Sequence, residues 1–181
     1  MSNSDSHTAI LEAAFHVFGA NPGASILDVA KEAGVGRATL YRHFATREAL
    51  MVELAQIAKR ELDAAVDAAT NSARSNLDGL KLALAAIIPL ADRQWFLTLD
   101  PVQQDPEIAE LYQSSVDETL AAIKAARSEG AFATNLSDEW IAEVYDGLIY
   151  AAWTMVRRGQ ATHAEACAMA WATFEKGTKG K

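Results

Sequence analysis

One cysteine in 181 residues, Cys167, leaves no partner for an internal disulfide, and its alanine-rich helical surroundings suit a small buried residue in a reducing compartment. Basic charge is also scarce. With 16 Lys and Arg against 24 Asp and Glu, the net charge of −8 excludes a protein that coats nucleic acid without sequence preference, since phosphate attraction scales with clustered Lys and Arg. No apolar run reaches the roughly 18 to 20 residues that a bilayer crossing needs, and "MSNSDSHTA" lacks the basic and apolar regions of a secretory signal. A cytoplasmic protein without membrane contact is expected.

Proline and glycine are few, at 4 and 10, and there is no low-complexity tract, which argues against disorder. Signs of catalysis are missing as well. There is no glycine-rich phosphate loop, no Cys/His cluster with metal-ligand spacing and no nucleophile elbow; His7, His16, His43 and His163 are scattered, and His16 beside the apolar pattern of helix 1 reads as structural. The sequence therefore predicts no enzyme, no catalytic residue, no cofactor and no metal.

What is present is a hydrophobic fraction of 50%, rich in Ala and Leu at helical spacing, enough for a substantial core. The fold expected is all-α. Ile10, Leu11, Ala14, Phe15 and Phe18 mark helix 1 from about Thr8 to Gly19, and "GANPG" stops it. Ser25 caps helix 2, with Asp28 closing a capping box, and Gly34 supplies the turn into helix 3 from Arg37 to Phe44. Thr46 caps helix 4, which runs to about residue 70.

After "NSARSN" the pattern predicts helix 5 from Leu77, helix 7 from Pro106 to Glu129, helix 8 from Asp138 to Arg158 and helix 9 from His163 to Lys176. Thr162 and Glu165 form a second capping box. Between helices 5 and 7, "PLADRQWFLTLDPVQQDP" sets three prolines among apolar residues, which predicts a bend with a cavity beside it.

One stretch near the N-terminus is locally basic. Residues 25 to 47 hold Lys31, Arg37, Arg42 and Arg47 against Asp28 and Glu32, a net of +2 in a chain of −8. In the same window Ala30, Gly34 and Leu40 fill the three slots of a helix-turn-helix: a small residue at the crossing, a turn-permissive residue and an apolar anchor. At about 100° per residue, Leu40 and Phe44 face inward, while Ala38, Thr39, Arg42 and His43 face outward with Arg37 and Tyr41 flanking. Small residues let the backbone approach a groove floor, and Arg can donate twice to guanine, a contact worth about 1 to 3 kcal/mol of discrimination. Tyr41, His43, Arg47 and the hydroxyls of Ser25 and Thr46 suit phosphate oxygens.

"ILEAAFHVFGANPGASILDVAKEAGVGRATLYRHFATREAL" resembles the N-terminal domain of the TetR family of transcriptional regulators, over residues 8 to 55. The resemblance implies a repressor dimer on a palindromic double-stranded operator, released by a small-molecule effector, with a DNA-binding domain at 1–48 and a ligand-binding and dimerisation domain at 49–181. It also implies phosphate contacts by Tyr41, His43 and Arg47, and places Arg37, Thr39 and Arg42 near bases or adjacent backbone. The chain departs from the family pattern in lacking basic residues before helix 1 and in carrying Leu27 within helix 2.

Helix 8 is apolar around nearly its whole circumference from Leu148 to Val156, so it needs cover on both sides. A two-fold interface of helices 8 and 9, eased by Gly147 and the alanines of "AEACAMAWATF", supplies that cover. For a largely apolar effector, the candidate lining is Trp95, Phe96 and Leu99 from the interrupted segment. Leu84, Ile88, Tyr112, Val116, Tyr145, Ile149 and Trp153 join it from helices 5, 7 and 8. The competing function is an all-α small-molecule binding or carrier protein whose helix-turn-helix is only structural.

Overall fold

A computed structural model describes residues 3–97 and 105–180, apart from the side chains of Asn3, Ser4, Gln94 and Trp95. Its helices are α1 (Asn3–Ala20), α2 (Ile26–Glu32), α3 (Arg37–His43), α4 (Arg47–Thr70) and α5 (Asn76–Ile87), then a 3-10 turn (Ile88–Leu90) and α6 (Ala91–Leu97). After the undescribed segment follow α7 (Pro106–Ser128), α8 (Asp138–Arg157) and α9 (His163–Thr178). The fold is all-α, with no strand among the described residues and one isolated bridge, Phe132 to Lys179.

The chain divides into two compact units: Met1–Arg60 with Asp92–Tyr112, and Glu61–Ala91 with Gln113–Lys181. In the first, α1 packs on α2 and α3, and α2 on α3. Ile10, Ala14, Phe18, Val29, Leu40, Leu50 and Leu54 are fully buried. Truncating one of them, as in Leu40→Ala, costs about 2 to 5 kcal/mol by the usual cavity rule. Phe96 of α6 meets Phe15 edge-on at 5.6 Å, and the Arg93 guanidinium lies 4.1 Å from the Phe15 ring centre, with Glu12 at 3.6 Å.

Two features depart from the sequence reading. α1 starts at Asn3 rather than near Thr8, because Ser6 is buried and the His7 ring stacks on Phe44 at 5.3 Å, packing that overrides the weak helix propensity of the polar residues. The bend after helix 5 is the 3-10 turn holding Pro89, placed near its start where a missing N–H is harmless; helix then resumes as α6.

The second unit is built on α8 and α9, its most extensive helix pair. Leu80, Leu84, Ile88, Ile123, Ile141, Tyr145, Ile149 and Phe174 form its core. Both ends of α9 are fixed: Thr162 and Glu165 form the expected capping box, and Ala133 N–H donates to the Thr178 carbonyl at 2.8 Å. Arg127 organises the turn before α8, bonding Asp138 and donating to the carbonyls of Ala133 and Leu136 at 3.2 and 2.6 Å.

Candidate nucleic-acid interface

The turn between α2 and α3 follows from its sequence. Ser25 Oγ accepts from Asp28 N–H at 3.3 Å, and the Asp28 carboxylate accepts from Ser25 N–H at 2.9 Å, which completes the capping box. The Ser25 hydroxyl also donates to Asp28 at 2.7 Å, and these bonds hold the exposed Asp28 carboxyl below its ordinary pKa, the hydroxyl bond contributing most. At the other end, Gly34 takes φ +65°, a conformation that disfavours any side chain. Gly34 N–H donates to Lys31 O at 3.2 Å and Val35 N–H to Ala30 O at 3.0 Å, the paired bonds of a Schellman stop. α3 then begins at Arg37 with its direction set.

Arg37, Ala38, Tyr41 and Arg42 are exposed on α3, Thr39 is half-buried, and Leu40 and Phe44 are buried. The Arg37 guanidinium lies 5.4 Å from the Tyr41 ring centre, a cation–π contact that limits the wandering of both side chains. Thr46, exposed, accepts from Ala49 N–H at 3.1 Å as the cap of α4. Leu27 of α2 is exposed too.

Two residues sit differently from their sequence-based placement. Helical phase sends His43 outward, but the structure half-buries it, with its ring 5.4 Å from His7 and its Nε2 buried without a hydrogen bond to the described residues. The cause is the early start of α1, which brings His7 there. Arg47 is turned into the fold: its Nε donates to Ala24 O at 3.2 Å and its Nη2 to Pro22 O at 2.6 Å, with the guanidinium 4.8 Å from the Phe18 ring centre. His16 is exposed, with Nδ1 3.1 Å from Glu32 of α2.

Of the candidate effector residues, Leu84, Ile88, Tyr145 and Ile149 come together as close-packed core of the second unit. The Tyr145 hydroxyl donates to Leu80 O at 2.7 Å, and burial pushes its pKa upward. Trp153 packs partly against that core, and Val116 is half-buried. Phe96 belongs to the core of the first unit, where Tyr112 is half-buried. Leu99 and the Trp95 side chain lie outside the described residues. No helix of the described residues is long and apolar enough to cross a membrane, and no group of three metal-ligating side chains occurs among them.

A short capped helix, a Schellman turn and a second helix presenting arginine and small residues define a helix-turn-helix DNA-binding module. Residues 10–54 match the family of bacterial regulatory proteins, tetR family. The HTH-type transcriptional repressor LfrR of Mycolicibacterium smegmatis is 26% identical over 156 residues, which span 86% of this chain and 81% of LfrR. Among solved structures, the TetR-like regulator LfrR from Mycobacterium smegmatis in complex with proflavine superposes with a TM-score of 0.76 at 23% identity, covering 98% of each chain. The ketosteroid transcriptional regulator KstR2 of Mycobacterium tuberculosis gives a TM-score of 0.79 at 18% identity, covering 97% of this chain and 95% of its own. These two structures share the fold.

Proposed function

We propose that this chain is a homodimeric repressor that holds a palindromic operator through residues 1–48 and leaves it when a small, largely apolar effector binds residues 49–181. The carrying observation is α3 itself: a helix whose approach is set by the capping box and the Schellman stop of α2, with Arg37, Ala38, Tyr41 and Arg42 exposed in a window of net charge +2. Arg42 reads a base and Tyr41 and Thr46 hold phosphates, while Arg47 supports the module from within. An acidic remainder suppresses nonspecific binding and leaves a small basic surface, used twice by a dimer.

Effector control is supported by LfrR, which has been captured with proflavine. Dimerisation through α8 and α9 is supported by apolar surface open in the single chain: Trp140 is 59%, Tyr150 45% and Met169 47% exposed. Exposed Gly147, Ala151, Ala164 and Ala168 permit close helix approach. The site of action is the cytoplasm, where the operator is.

Purified protein mixed with genomic fragments, its own upstream region included, tests this reading. A fixed duplex is retained, and affinity falls steeply with salt, by about 10³ to 10⁵ between 50 and 200 mM for 6 to 10 phosphate contacts. Retention of no duplex, together with tight binding of small molecules, would assign the chain to the carrier class instead.

A further inference from the structure

Three helices of the first unit meet at two histidines. His7, beside the buried Ser6 of α1, stacks on Phe44 with ring centres 5.3 Å apart at 18°, and its Nε2 lies 3.1 Å from Glu53 Oε1 of α4. The ring of His43, the last residue of α3, is 5.4 Å from that of His7. Its Nε2 is buried and makes no hydrogen bond to the described residues, so the inward placement leaves a polar nitrogen unsatisfied and costs free energy. Core packing gives no reason for an imidazole here, since Leu40 and Phe44 already fill the buried side of α3. What holds His43 in is His7, itself fixed by Phe44 on one side and Glu53 on the other.

A proton changes this balance, and histidine is the side chain that exchanges one between pH 5 and 8. On His7 it makes the contact with Glu53 charge-assisted and firmer. On His43 it does the reverse: Nε2–H has no acceptor in the inward place, and a second imidazole that takes the same charge stands 5.4 Å away. The other charged groups of these helix segments are Asp5 of α1, Arg42 of α3, and Arg47 and Glu48 of α4. Arg47 is committed to Phe18, Pro22 and Ala24, and the remaining three are exposed. A protonated His43 is thus relieved by turning outward. There it lies along the chain between Tyr41 and Thr46, both assigned to phosphate, where an imidazolium gains a charge-assisted hydrogen bond. We propose that His43 is a proton-gated phosphate contact and that His7 is the positioning residue that holds it shut: neutral His43 stays against His7 and Phe44, and protonated His43 turns to the operator backbone, so that binding takes up one proton from solvent. This deepens, and rests on, the reading of α3 as the operator-binding helix.

The duplex retained from the genomic fragments serves as the probe, labelled for fluorescence anisotropy and titrated with full-length protein at pH 8 and pH 6 at one ionic strength. Wild type binds about tenfold more tightly at pH 6, inside the ceiling of about tenfold per pH unit that one proton allows. His43→Gln, which keeps a neutral donor, loses this rise. His16→Gln keeps it, because His16 is exposed and pairs with Glu32 of α2. His7→Ala opens the gate: it binds more tightly than wild type at pH 8 and depends less on pH, whereas loss of a merely structural contact would weaken binding at both pH values. Circular dichroism melts check that each variant is folded, and the two glutamine variants decide the proton's address even where His7→Ala is not. Wild-type affinity that is flat with pH would overturn the gate, as would a rise that survives in His43→Gln or vanishes in His16→Gln, or weaker binding by folded His7→Ala at both pH values. A tight operator complex indifferent to pH sinks this inference alone; retention of no duplex at either pH sinks the regulator reading.

Discussion

Arg47 stands over Phe18 while bonding the carbonyls of Pro22 and Ala24, so the first residue of α4 fastens the link between α1 and α2. Arg47→Ala removes two hydrogen bonds and the ring contact, and a loss of roughly 1 to 3 kcal/mol is expected in chemical denaturation. The salt slope of operator binding stays unchanged. A slope smaller by about one would instead return Arg47 to a phosphate.

Arg42 and Arg37 are separable by specificity. Arg42→Ala is expected to cost about 1 to 3 kcal/mol and to relax preference at one operator position per half-site, checked by competition with single-base operator variants. Arg37, leaning on Tyr41, is expected to weaken all sequences alike when replaced by Ala. The opposite pattern would exchange their roles.

Asp146 gives stability an unusual pH dependence. Burial and the like charge of Glu143 raise its pKa from 3.8 to about 6 on folding, so the folded state favours the proton. Its contribution is complete below the unfolded value and is lost as pH rises through the folded one. Asp146→Asn is therefore expected to be more stable than wild type by roughly 1 to 3 kcal/mol at pH 8, with the gap closing near pH 4. Thermal melts at both pH values check this, and a gap that widens in acid would contradict it.

The α8 and α9 interface is tested at Ala168, which is exposed in the single chain. Ala168→Arg is expected to sediment as a monomer with an unchanged helical circular dichroism signal, and to lose tight binding to the full palindrome. A persistent dimer would move the interface elsewhere.

Short-range chemistry was legible in the sequence. Ser25 with Asp28, Thr162 with Glu165 and Gly34 were all readable because a capping box or a Schellman stop is decided within a few residues. Arg47 was not, since its acceptors lie 23 and 25 residues away in sequence, nor was His43, whose setting depends on His7 and an α1 that starts earlier than its polar residues suggest. The effector candidates show another limit. Leu84, Ile88, Tyr145 and Ile149 follow one apolar period whether they close a core or line a cavity, and only packing separates the two. Asp146 escaped notice because one carboxylate in an apolar helix reads as solvated until its burial is known.

The Tyr145 hydroxyl, held by Leu80 inside the second core, sets this residue apart from the other three tyrosines. In an alkaline titration its phenolate absorbance is expected only once that core opens, because burial disfavours the charged form. The chain thus carries an intrinsic optical marker for the unfolding of its C-terminal helices, independent of its tryptophans and requiring no label.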